Sequence, residues 1–574
     1  MGGAADIGAH WRWWPGRFSV ARACKTGAGM SRRQSVAWAE MESQPSAPVV
    51  VQRVRAQALG DLLRRSALRY PGKLALVSGE VRWSYAEFDA AVNRTAAALG
   101  ARGVEKGDRL ALLSHNCWQF VVLTFALARL GVILVPVNFM LGADEIAYIL
   151  QHSGASGFIT EDGLHPVALA AIEKCGLAGG VRGWINLTGQ PVATGWEDLT
   201  TWAGHPGDRA PEVIVADDDP LRLMYTSGTE ARPKGVLHSS RSLIAQYVSC
   251  IVDGGMEARD IEVHSLPLYH CAQLDCFLGP DVYLGATSII LPRPDPDLLL
   301  STIESERATK LFAPPTVWIS LLRSPALDAT DLSSLRKGYY GASAMPVEVL
   351  REIQQRLPDV RLWNFYGQTE MAPLATILQP EEQVGHAGSA GRPAVNVETK
   401  LVDDDNNEVP AGTIGEIVHR SPHATLGYWH DEAKTAEAFR GGWFHSGDLG
   451  TFDEDGYLFI VDRKKDMIKT GGENVASLEV EQTIYLMEGV LEVAVFAITD
   501  PKWIEAVVAA VVPIQSGALS AEAVIVHCRS TLAGYKTPKH VVILDSLPKN
   551  PSGKILKRDL RKRYADLAPP VGLN

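Results

Sequence analysis

At 574 residues the chain is too long for a single hydrophobic core, so two or more domains are expected. Hydrophobic residues make up 46% and charged residues 21%, an ordinary balance for a globular protein. The net charge of −11 argues against nucleic acid or an anionic membrane as the main partner.

The first forty residues carry Arg12, Arg17, Arg22, Lys25, Arg32 and Arg33 with Trp11, Trp13 and Trp14, but only Asp6 and Glu40 as acids. This composition is compatible with an organellar transit peptide. The plainer reading is a disordered extension, residues 1–41, upstream of a start at Met30 or Met41. Beyond it Leu59–Ser66 reads as an amphipathic helix and Lys73–Val77 as a strand. Ser84, with Glu87 three residues on, predicts the N-cap of a helix running to about Leu99. Phe120–Val137 is interrupted by Arg129 and Gly131 and reads as a buried helix feeding a buried strand, with no integral membrane segment. Continuous apolar runs at Arg109–Leu113, Gly131–Val137, Gly157–Thr160 and Gly285–Leu291 predict parallel sheets covered on both faces.

The composition shifts near Val397. Thr399–Asp403, Gly415–His419 and Tyr457–Asp462 read as strands, with a turn at Asp453–Gly456. After Arg463 the chain is Lys-rich. It mixes strands (Val493–Ile498, Ala506–Val512) with helices (Ser477–Met487, Ala521–Leu532), as a small α+β domain. The expected division is a large domain over 42–462 and a small one over 463–574, with Asp462-Arg-Lys-Lys-Asp466 as the hinge. Seven cysteines, at 24, 117, 175, 250, 271, 276 and 528, form no CxxC pair. That count fits a reducing, cytoplasmic setting and gives no zinc site; Cys271 and Cys276, following His270, read as packing.

The richest stretch is Tyr225-Thr-Ser-Gly-Thr-Glu-Ala-Arg-Pro-Lys-Gly235, whose composition is too irregular for a helix or strand. Hydroxyls and free backbone N–H groups around a lysine suit a polyphosphate. No Gly-Lys-Ser/Thr triplet is present, so it is not a P-loop. This stretch resembles the phosphate loop of the adenylate-forming superfamily, in its acyl-CoA synthetase branch. Five further motifs carry the likeness: Leu266-Pro-Leu-Tyr-His270, Tyr339-Tyr-Gly-Ala-Ser343, Tyr366-Gly-Gln-Thr-Glu370, Trp443-Phe-His-Ser-Gly-Asp448 and Pro548-Lys-Asn-Pro-Ser-Gly-Lys554. It extends from about residue 55 to 565.

The resemblance implies an α/β fold: a large domain of parallel-type sheets flanked by helices, a small β-barrel-like subdomain, and a mobile α+β lid. It implies ATP, Mg²⁺ and CoA as cofactors. Thr226, Ser227, Gly228, Thr229 and Lys234 would hold phosphates. Gly341, Ala342 and Ser343 would wall the adenine and acyl group. Tyr366 and Gly367 would meet the adenine, Thr369 the α-phosphate, and Glu370 with Thr226 the Mg²⁺. Asp448 would anchor the ribose and Arg463 contact the nucleotide. His270 would line the acyl pocket, Lys465 act as the pivot, and Lys554 act as the catalytic lysine. Lys469, Gly471, Gly472 and Glu473 would form the CoA loop. One departure stands out, Glu230-Ala231 where the family has Thr-Gly.

The implied reaction is attack of a carboxylate on ATP, followed by transfer of the acyl group to CoA. His270–Gln273, Phe312–Trp318, Tyr340–Ala344 and Met371 are expected to line an apolar acyl pocket without a second basic group. This favours a monocarboxylic acid, read as a medium- or long-chain fatty acid, with aromatic acids, an amine acceptor or a carrier-protein acceptor open. A homodimer is left open as well. Asp545-Ser-Leu547, a pantetheine-site triplet, is read here as the end of a strand.

Overall fold

The computed structural model describes residues 51, 54–55, 57–177, 179–207, 209, 212–226, 233–341, 345–515, 517–549 and 555–567. The chain divides into two compact units, Met1–Arg55 and Ala56–Asn574. Of the first, Val51, Val54 and Arg55 are described, as exposed helical backbone. The extension expected over 1–41 lies outside the described residues.

In the second unit the opening elements follow the sequence pattern. Helix Gly60–Arg69 buries Leu62 and Leu63. Helix Tyr85–Ala101 starts at a capping box: the Glu87 N–H donates to the Ser84 hydroxyl at 3.3 Å, and the Ser84 N–H donates to Glu87 Oε2 at 2.8 Å. The buried helix Trp118–Leu130 ends at Gly131 in the left-handed region and feeds the fully buried strand Ile133–Val137. Among the described residues no helix is long and apolar enough to cross a membrane.

Two large sheets form the body. In one, Leu74–Ser78, Thr287–Ile290, Ile261–His264, Lys310–Phe312, Lys337–Gly341 and Arg361–Gly367 run parallel. In the other, Pro220–Thr226, Ile133–Val137, Arg109–Leu113, Gly157–Glu161 and Val181–Ile185 do so. The parallel-type sheets expected from the sequence are present, each with antiparallel strands at its margin. Val81–Ser84 pairs antiparallel with Leu74–Ser78, and Lys234–Ser239 with Pro220–Thr226. Short connections cannot cross over, so strands joined by them return antiparallel.

The composition shift near Val397 marks an antiparallel sheet of Glu398–Val402, Gly415–Arg420, Phe444–Phe452 and Leu458–Arg463. The C-terminal segment builds its own sheet around the long pair Val490–Asp500 and Ile504–Pro513, with Val480, Val493, Val507 and Val524 in one core. The strand His540–Ile543 ends just before Leu544-Asp-Ser-Leu547.

The six described cysteines are free. Glu262, His264 and Asp281 converge in the fully buried interior. The Lys310 ammonium sits among them, 2.7 Å from Glu262 Oε2 and paired with Asp281, so a cation already occupies that cluster. Burial pushes the Glu262 carboxyl well above its ordinary range.

Candidate active site

The site begins where Arg361–Gly367 ends. Gly367 has φ 159°, and a Cβ there would lie 1.9 Å from the Pro373 carbonyl oxygen, so only glycine fits beside Tyr366. The Tyr366 hydroxyl donates to Asp448 Oδ2 at 2.7 Å, and Arg463 Nε lies 3.4 Å from Asp448 Oδ1. Asp448 and Arg463 face each other across adjacent strands of the small sheet. Burial, then the Asp448 charge, raises the Tyr366 phenol well above its usual value, keeping it a donor.

A short 3₁₀ turn, Thr369–Met371, follows. Glu370 Oε1 accepts from the Tyr428 hydroxyl at 2.9 Å, and the Lys234 ammonium sits 5.6 Å from the Tyr428 ring centroid. Tyr428 is placed by the two-residue strand Gly427–Tyr428, which adds to the edge strand Lys234–Ser239. The Thr369 hydroxyl meets Cys271 Sγ at 3.4 Å, and His270 Nδ1 accepts the Ala272 N–H at 3.2 Å. Thr369, Glu370, Lys234 and His270 are therefore gathered along one edge of the large domain.

The phosphate-loop motif is more regular than its composition suggested. Tyr225 and Thr226 close one strand, Lys234 and Gly235 open the next, and Thr226 faces Lys234 in antiparallel register. Backbone pairing with neighbouring strands overrides the polar composition of these stems. Ser227, Gly228, Thr229 and Glu230 lie outside the described residues, as do Ala342 and Ser343. Gly341 ends the strand Lys337–Gly341.

On the acyl side, Leu266, His270, Ala272, Gln273, Phe312 and Pro314 bound a narrow cleft. Phe312 stacks on Phe277 with centroids 4.3 Å apart and planes 15° apart, and Phe277 stacks on Phe365 at 5.5 Å. Of the other residues expected at the lining, Trp318 and Tyr340 pack in one buried cluster, and Met371 shares a second with Phe312. Strand alternation turns the side chain of Tyr340 opposite to that of Tyr339.

Comparison with known proteins decides the family. Residues 63–429 match the AMP-binding enzyme family, and residues 479–554 match the AMP-binding enzyme C-terminal domain. The chain belongs to the AMP-binding enzyme family. It is 36% identical to a feruloyl-CoA synthase of Amycolatopsis sp, over 89% of this chain and 100% of the relative. To a long-chain-fatty-acid–CoA ligase of Mycobacterium tuberculosis it is 34% identical, over 89% and 99%. The solved structure of ATP-bound MatB from Rhodopseudomonas palustris superposes with a TM-score of 0.80 at 29% identity, over 88% of this chain and 99% of that one. The AMP-binding enzyme described here is an AMP-forming acid–CoA ligase, adenylating a carboxylic acid and joining it to CoA.

The remaining motif residues of this AMP-binding enzyme lie in and beside the C-terminal domain. Gly471 and Gly472, with φ 60° and 90°, turn a tight hairpin between Ile468–Thr470 and Glu473–Val475. The Lys469 N–H donates to Glu505 Oε2 at 2.7 Å, and the Gly471 N–H to the Trp503 carbonyl at 2.8 Å. Lys502 and Lys539 each place an ammonium 5.1 Å from the Trp503 ring centroid. Lys554 lies outside the described residues; the bridge between Lys549 and Ile555 closes the base of its loop.

In the segment expected as the hinge, Lys464 reaches Asp404 at 2.7 Å and Glu416 at 3.4 Å in the small sheet. Asp466 pairs with Arg561 of the C-terminal domain at 2.6 Å. Lys465 stands between them, its ammonium pushed down to about 8 by burial and then by Arg463. Sequence reasoning missed Tyr428 and Trp503. Neither sits in a spacing pattern: Tyr428 gains its place from strand pairing, and Trp503 from a turn in which its N–H donates to Asp500 Oδ1 at 2.9 Å.

Proposed function

We propose that this ligase activates a compact, flat-bodied monocarboxylic acid, an aryl or arylalkenoic acid, and passes it to CoA through a lid swinging about Lys465. The observation that carries the acid class is Phe312 at the narrow cleft, the aromatic ring among its lining residues, backed by the buried rings of Phe277 and Phe365. A cleft bounded by one braced ring suits a flat body and offers little depth to a long chain. The similarity to feruloyl-CoA synthase supports this reading. A medium- or long-chain fatty acid is the second reading, supported by the long-chain ligase of Mycobacterium tuberculosis.

Asp448 would accept both ribose hydroxyls while Tyr366 lies against the adenine, and their hydrogen bond pre-sets the two groups. Lys234 and the hydroxyls of Thr226, Ser227 and Thr229 would hold the pyrophosphate as it leaves. Glu370 and Thr226 fit Mg²⁺, as an oxygen-only donor set with the other positions left to phosphate and water. When bound, Mg²⁺ neutralises phosphate charge.

The substrate carboxylate attacks the α-phosphorus, the bond to pyrophosphate breaks, and an acyl-adenylate forms. Lys554 would stabilise the charge that builds on the α-phosphate oxygens. The lid would then turn, withdrawing Lys554 and presenting Lys469, Gly471, Gly472 and Glu473 to pantetheine. Trp503 between Lys502 and Lys539 gives the CoA nucleotide an aromatic face with cations beside it. The CoA thiolate attacks the acyl carbonyl and AMP leaves.

The test is pyrophosphate release across acids from acetate to palmitate, benzoates and cinnamates, with and without CoA. We expect benzoates or cinnamates to give the highest kcat/KM and a thioester to accumulate with CoA. Palmitate turning over fastest would replace the first reading with the second.

A further inference from the structure

The two stems of the phosphate loop are held by one helix that carries none of the family motifs. Helix Ala143–Ser153 presents Tyr148 and His152, four residues apart on one face, with rings stacked at 5.2 Å. The Tyr148 hydroxyl donates to the Pro233 carbonyl at 3.3 Å, immediately before the returning stem opens at Lys234. His152 Nδ1 lies 2.8 Å from the Tyr225 hydroxyl, on the outgoing stem one residue before Thr226. Trp429 closes the arrangement: its indole N–H donates to the His152 carbonyl at 3.1 Å and its backbone N–H to the Gly235 carbonyl at 2.8 Å.

Thr226 and Lys234 are the last residues of these stems before the loop, and hairpin ends splay unless something holds both strands. The stems lie at the edge of their sheet, where the outer neighbour is only the two-residue strand Gly427–Tyr428. Side-chain pins from the helix supply what the ladder lacks at this point.

We infer that Tyr148 and His152 are positioning residues for the polyphosphate. They set the separation of Thr226 and Lys234 without touching substrate. The inference rests on the proposed role of the loop as the pyrophosphate site.

The experiment measures dissociation constants of the full-length protein for ATP, inorganic pyrophosphate and AMP. His152→Ala and Tyr148→Phe are compared with His152→Asn, which restores a hydrogen-bonding atom near the position of Nδ1, and with Lys234→Ala. We expect His152→Ala to weaken ATP and pyrophosphate roughly tenfold, with AMP held within about twofold and His152→Asn near the unmodified protein. Tyr148→Phe should follow in the same direction by a smaller factor. Equal weakening of AMP and ATP would mean a general structural role and overturn the inference, as would no change in either. If Lys234→Ala weakens pyrophosphate and His152→Ala does not, only the clamp fails. If Lys234→Ala leaves pyrophosphate binding unchanged, the loop is not its site and both readings fall.

Discussion

The proposed nucleotide side and the proposed acyl side of this ligase are built on different principles. On the nucleotide side each functional group is fixed by a directional partner: Tyr366 by Asp448, Asp448 by Arg463, Glu370 by Tyr428. On the acyl side the wall is rings on rings, Phe312 on Phe277 on Phe365. Directional contacts specify one ligand geometry, whereas a packed aromatic wall specifies only shape and volume. On this proposal substitutions on the first side should impair the reaction, whereas substitutions on the second should change the choice of acid.

The largest break in this contrast is expected at Lys554. Lys554→Ala should lower the adenylation rate roughly a thousandfold and leave the melting temperature nearly unchanged, measured by pyrophosphate exchange and calorimetry. Near-normal exchange would remove Lys554 from the first half-reaction. Asp448→Ala comes next. It strands Arg463 and releases Tyr366, and kcat/KM for ATP should fall roughly a hundredfold with the ranking of acids unchanged. A changed acid ranking would mean that the two sides are coupled.

Phe312→Leu addresses the other side. It should change the ratio of kcat/KM between a cinnamate and a medium-chain fatty acid about tenfold while the KM for ATP stays constant. Acid pH separates the sides by stability. His238, His419 and His423 are buried on the nucleotide side, and burial pushes their rings down to about 3, 3 and 4. The unfolded chain binds protons at these rings below about pH 6.5 while the folded chain does not, so stability is complete above that pH. It should fall by about 1.4 kcal/mol per ring for each pH unit below it, until the folded-state values are reached. Denaturant melts between pH 7 and 4.5 measure this slope, and a flat profile would contradict it. The smallest effect is expected at Glu230, which lies outside the described residues. Glu230→Thr should lower the apparent KM for ATP no more than a few-fold, on the expectation that its carboxylate is directed outward or paired with Arg232; a roughly hundredfold gain would mark Glu230 as inhibitory.

Much of this contrast can be followed back to the sequence. The Ser84–Glu87 capping box and the helix–turn–strand at Phe120–Val137 are local, and local chemistry determines them. The Tyr366–Asp448 bond spans 82 positions, and no spacing rule predicts it. Both residues were named only because each sits in a motif. Tyr428 had no motif and stayed invisible, since its role depends on a two-residue strand joining a sheet edge. The acyl lining is not legible at Trp318, Tyr340 and Met371 for a related reason. An apolar run shows that a segment is buried, but which of its side chains face a cleft depends on packing between sheets.

The proposed hinge carries a consequence for the medium in which the enzyme works. Lys464 is tied to Asp404 and Glu416 on one side of Lys465, and Asp466 to Arg561 on the other. Asp404 is 89% exposed and Lys464 46%, so their pair is open to mobile ions. Such pairs contribute little in strong salt and more in dilute buffer. The stiffness of a joint at Lys465, as proposed, would then be set partly by ionic strength. A lid turning about Lys465 would swing more freely as salt rises, so the balance between the two half-reactions would depend on the solution as well as on the fold.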